Sequence, residues 1–293
     1  MAKELPFFSV IIPTHNRKAQ VKSCLHALTA QTYPRARFEV VVVDDGSLDP
    51  PREIVASFYD SLNITLLAEP HGGPSAARNA GAARARGEFL AFTDDDCAPA
   101  PDWLQNMSVR LASSPTTLIG GRTINALTEN IYSATSQALI DVINAHYNRD
   151  PVNAQFLASN NIAMRAAQFH SIGAFDVNFI FAEDREFCAR WLRYGHRMIY
   201  APEVLIYHHH YLTPRQLWRQ HFNYGRGAFH FHKVNVRSGS KFQFDPAFYL
   251  SIFRFPLTRR AGPRRLFMEA LMFEIQMANA AGFFFQALKS GRL

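Results

Sequence analysis

Two short apolar runs, Phe8-Ser9-Val10-Ile11-Ile12 and Phe38-Glu39-Val40-Val41-Val42-Val43, are separated by roughly 25 residues that include helix-compatible sequence from Arg17 to Gln31. Runs so rich in β-branched residues offer water no polar face, so both sides of the sheet they build must be covered. Their spacing predicts a βαβ unit. The rhythm then repeats: Ile64 to Leu67 reads as a strand, Pro74 to Arg86 as a helix, Glu88 to Thr93 as a strand and Asp102 to Ala112 as a helix. An α/β fold with a mostly parallel central sheet and flanking helices follows. Ligands of such sheets gather at the carboxyl ends of the strands. The loops to inspect are therefore Pro13 to Arg17, Asp44 to Asp49, Glu69 to Ser75 and Asp94 to Cys97.

Past Gly121 the pattern changes to a long helix at Tyr132 to Tyr147, a strand at Ser159 to Arg165, an acidic helix start at Glu183 and a strand at Met198 to His208. Three parts are expected: residues 1–122, residues 123–212 and a helical, basic extension at 213–293. Turns are expected at Gly225 to Gly227, Pro246, Pro256 and Gly262-Pro263. Residues 205–293 hold 13 Lys and Arg against three acids, whereas residues 1–204 hold 18 against 21. A back end near +10 points to a polyanion, namely lipid headgroups, a phosphate-bearing ligand or nucleic acid, or simply to a solvated basic face. No helix-turn-helix, RNP or zinc signature accompanies the charge, so a nucleic-acid partner is not expected.

The segment Leu266 to Leu288 carries Glu269, Gln276, Asn279 and Gln286 on one face at 100° per residue, which predicts an amphipathic helix rather than a spanning one. Its apolar side would pack on the domain or lie on a membrane surface. Cys24, Cys97 and Cys188 form no CxxC pair, and the N-terminus lacks an apolar leader. A cytoplasmic location is expected, with a peripheral place on the inner face of the membrane as its extension.

Three adjacent carboxylates, Asp94, Asp95 and Asp96, follow a strand and would repel one another without a positive partner. Mg2+ or Mn2+ is a natural one, since both favour carboxylate and phosphate oxygens; a solvated, helix-capping turn is the plainer alternative. Asp44-Asp45-Gly46-Ser47 suits either a tight turn or a carboxylate that accepts base N–H groups. His71-Gly72-Gly73-Pro74-Ser75 leads into a helix bearing Arg78, whose guanidinium suits a diphosphate. Glu183 and Asp184 sit where acids favour a helix dipole whatever the function. Strand alternation puts His208 and His210 on one face and His209 on the other. Arg215, Arg219, His221 and Arg226 suit either a phosphate or a helix end, and Trp218, Phe222 and Phe229 read as core.

Ser9 to Arg17, Val42 to Ser47, Gly73 to Gly81 and Phe92 to Asp96 before Pro101-Asp102-Trp103-Leu104 together resemble the family 2 glycosyltransferases of the GT-A nucleotide-diphospho-sugar transferase fold. The resemblance continues through Ser159-Asn160-Asn161, Gly173 to Asp176 and Phe181 to Glu186 to Tyr207-His208. It implies an inverting, metal-dependent hexosyltransferase that uses a UDP-, GDP- or dTDP-linked sugar. Pro13, Thr14, His15, Arg17, Asp45, Arg78, Asp94 and Asp95 match nucleotide-contacting positions. Asp96, with Asp94 and His208, matches the metal site of the DxD motif; His210 is the alternative histidine. Asp184 matches the catalytic base, while Glu183, Asn160 and Asn161 match acceptor-contacting or orienting positions. The basic C-terminal third and the amphipathic last helix point to a glycan or lipid-linked glycan as the acceptor, as in cell-envelope polysaccharide or glycolipid synthesis, with an anionic membrane surface as a further partner. A polyprenyl-phosphate glycosyltransferase and a non-catalytic nucleotide-sugar-binding scaffold are the rivals.

Overall fold

A computed structural model describes residues 5–237, 248, 250–252 and 262–291. Strands β1 (Phe8–Thr14), β2 (Phe38–Asp45), β3 (Ile64–Glu69) and β4 (Phe89–Thr93) run parallel in the spatial order β3-β2-β1-β4. Helices α1 (Lys18–Thr29), α2 (Arg52–Ala56) and α3 (Pro74–Arg84) make the crossovers. Strand alternation divides the apolar runs between two cores. Val10, Ile12, Val40 and Val42 pack with Val21, Leu25 and Leu28 of α1, while Ile11, Val41 and Val43 pack with Ala77 and Ala82 of α3. That division explains why the runs are continuously apolar, each such buried side chain contributing about 1.5–3 kcal/mol.

The sheet continues without a break. β7 (Asn161–Arg165) lies antiparallel between β4 and β6 (Leu118–Asn125), β8 (Met198–His208) runs parallel to β6, and β5 (Cys97–Pro99) closes the edge antiparallel to β8. Helices α4 (Trp103–Ser113), α5 (Ile131–Tyr147), α6 (Ala166–Ser171) and α7 (Glu183–Arg193) flank this half. β5 and β6 are not among the strands read from the sequence, and Arg122 lies inside β6. Gly120-Gly121 is poor strand sequence, yet glycine is required here. A Cβ on Gly121 would stand 1.9 Å from the Val204 carbonyl oxygen, at the place where the β6–β8 register shifts.

Helix α8 spans Pro214–Arg237 and α9 spans Pro263–Lys289. Gly225 and Gly227 do not stop α8, contrary to the turn expected from sequence. A Cβ on Gly225 would lie 1.9 Å from the Asn279 carbonyl oxygen, and one on Gly282 would lie 1.8 Å from that of Phe222, so α8 and α9 cross in backbone contact. Trp218 is 40% exposed rather than core. The turns expected at Pro246 and Pro256 lie outside the described residues. Leu271, Met272 and Ile275 of α9 pack with Ala138, Leu139 and Val142 of α5, fastening the helical extension to the sheet domain.

Candidate active site

The ends of β1, β2 and β4 bring the expected loops together. Asn16, in the left-handed region at φ 55°, donates its backbone N–H to Ser47 Oγ at 2.7 Å, and its side chain accepts from Leu48 N at 2.8 Å. These bonds lash the β1 loop to the β2 loop. Asp45, 4% exposed, accepts from Gly72 N at 2.7 Å and Gly73 N at 3.0 Å, with His71 Nδ1 2.9 Å away. His15 Nδ1 donates to the Asp45 carbonyl oxygen at 2.7 Å, and its ring lies 4.4 Å from that of His71. The result is a recess with two imidazole planes and a buried carboxylate, bordered by half-buried Pro13 at the end of β1.

Asp94 pairs with Arg78, whereas Asp95 and Asp96 share Arg17 and differ in their remaining partners. Arg78 is 3% exposed and donates to Asp94 at 2.7 Å and to Glu183 at 2.9 Å, so one guanidinium ties the β4 loop to the start of α7. Burial opposes its charge, but the two carboxylates prevail and its pKa is raised. Asp95 accepts from Thr14 Oγ1 and from Arg17 Nη1, both at 2.7 Å. Burial nevertheless pushes its carboxyl up to about 6, with the neighbouring Asp96 adding to the rise.

Asp96 faces His208 Nε2 at 3.2 Å, His210 Nδ1 at 3.3 Å and Arg17 Nη2 at 3.0 Å. Burial alone would raise its pKa, yet these hydrogen bonds and charges hold it well below the usual carboxylate range. The same partner raises His208 against its own burial. Both histidines reach the acid, with rings stacked 5.0 Å apart, as strand alternation predicts. β5 is the cause, because its pairing of Cys97 with His208, and the His209 N–H bond to the Asp96 carbonyl oxygen at 2.8 Å, set the two chain ends side by side.

Glu183 and Asp184 open α7 after Ala182, a non-glycine residue at φ 62°. Backbone strain at such a residue costs about 1–3 kcal/mol and clusters at functional sites. Asp184 is half-buried; burial, with the Glu183 charge adding, pushes its carboxyl up to about 7. Its Oδ1 accepts from Arg185 N at 2.7 Å. Tyr224 of α8 feels the Asp184 charge.

Sequence reasoning missed Gln220, which meets His210 Nε2 at 3.0 Å and donates to the Tyr224 hydroxyl at 3.0 Å. An i, i+4 polar pair on a helix facing the histidines was the available signal. Asn160 lies beside this region, near Cys97 Sγ at 3.8 Å and Thr123 Oγ1 at 3.4 Å.

Asn161 does not reach the cleft. At 1% exposure its amide bonds the Arg122 and Val204 carbonyls at 3.1 and 3.0 Å and accepts from Trp103 Nε1 at 2.8 Å, which pins the β6 irregularity. His221 is likewise buried with both ring nitrogens unpartnered; burial lowers its pKa to about 4, so it offers no cation to a phosphate. A separate cavity of about 490 Å3 between β6, α5 and α9 contains none of the site carboxylates.

The profile of the family described as Glycosyl transferase family 2 matches residues 9–173, more than half of the chain. Glycosyltransferase AglE of Haloferax volcanii is 32% identical over 214 residues, covering 71% of this chain and 68% of that protein. The chain belongs to glycosyltransferase family 2. The pre-mycofactocin glycosyltransferase of Mycobacterium tuberculosis is 28% identical over 227 residues, and the match spans 46% of its length.

Among solved structures, the glycosyltransferase resembles the mannosyltransferase of Pyrobaculum calidifontis in complex with GDP-Man and Mn2+, with a TM-score of 0.64, 20% identity, and coverage of 99% of this chain and 81% of that one. It also resembles Staphylococcus aureus TarS 1–349, with a TM-score of 0.55, 19% identity, and coverage of 98% and 92%. These likenesses establish the GT-A fold. In this glycosyltransferase the ligand atoms of Asp96, His208 and His210 all lie within 4.8 Å of one another. One carboxylate and two imidazoles fit a divalent cation, and the nitrogen donors favour Mn2+ over the oxygen-seeking Mg2+.

Proposed function

We propose that the glycosyltransferase moves a hexosyl group, with inversion, from a nucleoside-diphosphate donor to the hydroxyl of a glycan or lipid-linked acceptor in polysaccharide or glycolipid synthesis at the inner membrane face. The observation that carries this reading is the Arg78 bridge. It holds Asp94 of the β4 loop and Glu183 of the α7 start on one guanidinium, which ties the loop bearing Asp96, partner of His208 and His210, to the helix start bearing Asp184. Residues 1–122 then serve the donor and residues 123–212 the acceptor, with 213–293 as the basic extension. The His15–His71 recess and Asp45 suit a base carrying N–H donors, and Arg17 and Arg78 suit phosphate oxygens.

Asp184 takes the proton of the acceptor hydroxyl as that oxygen bonds to the anomeric carbon; a base with pKa near 7 is well matched to this at neutral pH. The bond to the diphosphate oxygen breaks with its electron pair, and the leaving group carries the new negative charge towards Arg17 and Arg78. A divalent cation held by Asp96, His208 and His210 would add Lewis-acid neutralisation of that charge. A single displacement inverts the anomeric centre and needs no protein nucleophile.

Thermal stabilisation by UDP, GDP, dTDP and CDP, each with and without Mn2+, tests the reading. One nucleotide should stabilise the protein, more strongly with Mn2+, and the Mn2+ increment should vanish in Asp96→Asn. No shift with any nucleotide refutes the donor site.

A further inference from the structure

Helix α9 is amphipathic in an unexpected sense. Its polar residues Glu269, Gln276, Asn279 and Gln286 are half-buried against the protein, and Gln286 accepts from Arg226 Nε at 3.2 Å. Every exposed residue from 266 to 288 is Leu, Phe, Met or Ala. Leu266, Phe273, Met277, Phe284 and Leu288, each 52–67% exposed, fall within roughly 60° of one another at 100° per residue and form a ridge about 33 Å long. A continuous outward apolar stripe of this length is unusual on a monomer and marks an interaction surface.

We infer that this ridge lies on an anionic phospholipid surface. No described helix is long and apolar enough to cross a membrane, so the ridge would rest in the interface. Exposed Lys289 marks one end, and its apolar stem allows the charge to reach headgroups, whereas Arg264 at the other end is held by Glu129 at 3.6 Å and by the Thr128 carbonyl oxygen. On the adjoining α8, Arg215 and Arg219 pair with no acid among the described residues, and Trp218 is exposed. Basic and aromatic residues beside an apolar stripe match the charge and polarity of a headgroup layer. A second copy is the poorer occupant, because face-to-face packing would set two extensions near +10 against each other.

The ridge stands one helix behind the cleft. On one side of α8, Gly225 meets Asn279 of α9; on another, a Cβ on Gly227 would lie 2.7 Å from the Phe181 carbonyl oxygen. Arg226 lies 5.4 Å from the Phe181 ring and 5.9 Å from the Phe285 ring, joining α9 to the segment before Asp184. A bilayer under α9 therefore brings membrane-borne hydroxyls towards Asp184. This deepens the lipid-linked acceptor reading proposed above, although the ridge itself stands on α9 alone.

The test is co-sedimentation of the full chain with phosphatidylcholine vesicles, with and without phosphatidylglycerol. Wild type should bind the anionic vesicles, less so at high salt, and Phe273→Asp/Phe284→Asp should reduce binding by about tenfold or more while keeping the wild-type helical circular dichroism. Phe273→Ser/Phe284→Ser, which adds no charge, should also weaken binding. Absence of wild-type binding, or undiminished binding by both folded variants, overturns the inference. So does a dimer in analytical centrifugation that the same substitutions dissolve, since the ridge would then cover a second copy. A nucleotide shift measured on the same samples reports separately on the donor site.

Discussion

Replacing Asp184 with Asn should abolish transfer and, at the same time, stabilise the protein in a pH-dependent way. The carboxyl is raised from its ordinary 3.8 to about 7, first by burial and then by Glu183. Between those values the folded state binds more protons than the unfolded state, so stability falls as pH rises through this window and levels off above it. At 1.36 kcal/mol per pH decade the full loss is about 4 kcal/mol. Asp184 is only half-buried, and water in the cleft reduces this to ~2 kcal/mol.

Asn carries no such penalty, so Asp184→Asn should melt about 4–8 °C above wild type at pH 8. The two proteins should converge towards pH 4. Scanning fluorimetry across pH 4–8.5 measures the difference, and a transfer assay at pH 8 should show a fall of about 10²–10⁴-fold. Wild-type transfer should rise with pH to a plateau above about 7. A Tm gain equal at pH 4 and pH 8 would refute the buried-charge argument, and transfer within tenfold of wild type would refute the role as base.

Arg78→Met should cost about 3–5 kcal/mol by leaving Asp94 and Glu183 facing each other unpaired, and Arg78→Met/Glu183→Gln should recover part of it; chemical denaturation reads both. Gly225→Val should force α8 from α9 and lower stability by about 1–3 kcal/mol or more, because its Cβ would meet the Asn279 carbonyl oxygen, whereas Tyr59→Ala on the exposed far surface should change stability by less than about 0.5 kcal/mol. Asn161→Ala should be destabilising by about 1–3 kcal/mol through the orphaned Val204 and Arg122 carbonyls. A nucleotide Kd unchanged by that substitution would agree with the buried position of its side chain, and a large change would contradict it.

The alternation of apolar runs with helical sequence was sufficient to place β1 to β4 and the loops at their carboxyl ends, because burial on both faces is written in every residue of a parallel strand. The places of Asp45, Arg78, the three aspartates and Asp184, just beyond or just within those elements, were legible from local period, whereas the roles expected of them came from the resemblance to family 2 glycosyltransferases. Their pairings were not legible. Arg78 meets Glu183 across 105 positions and Asp96 meets His210 across 114, and both contacts depend on where strands from the second half dock. The three-residue β5 is too short to carry a period, yet its pairing with β8 brings Asp96 to both histidines. Gly121, Gly225 and Asn161 carry the same lesson. Read singly, two are breakers and one a site residue; in the folded protein they accommodate or fasten close backbone contacts, a property of the partner that no local pattern contains. The direction of α9 follows likewise, since an amphipathic helix specifies two faces and only packing against α8 and α5 decided that the apolar stripe looks outward.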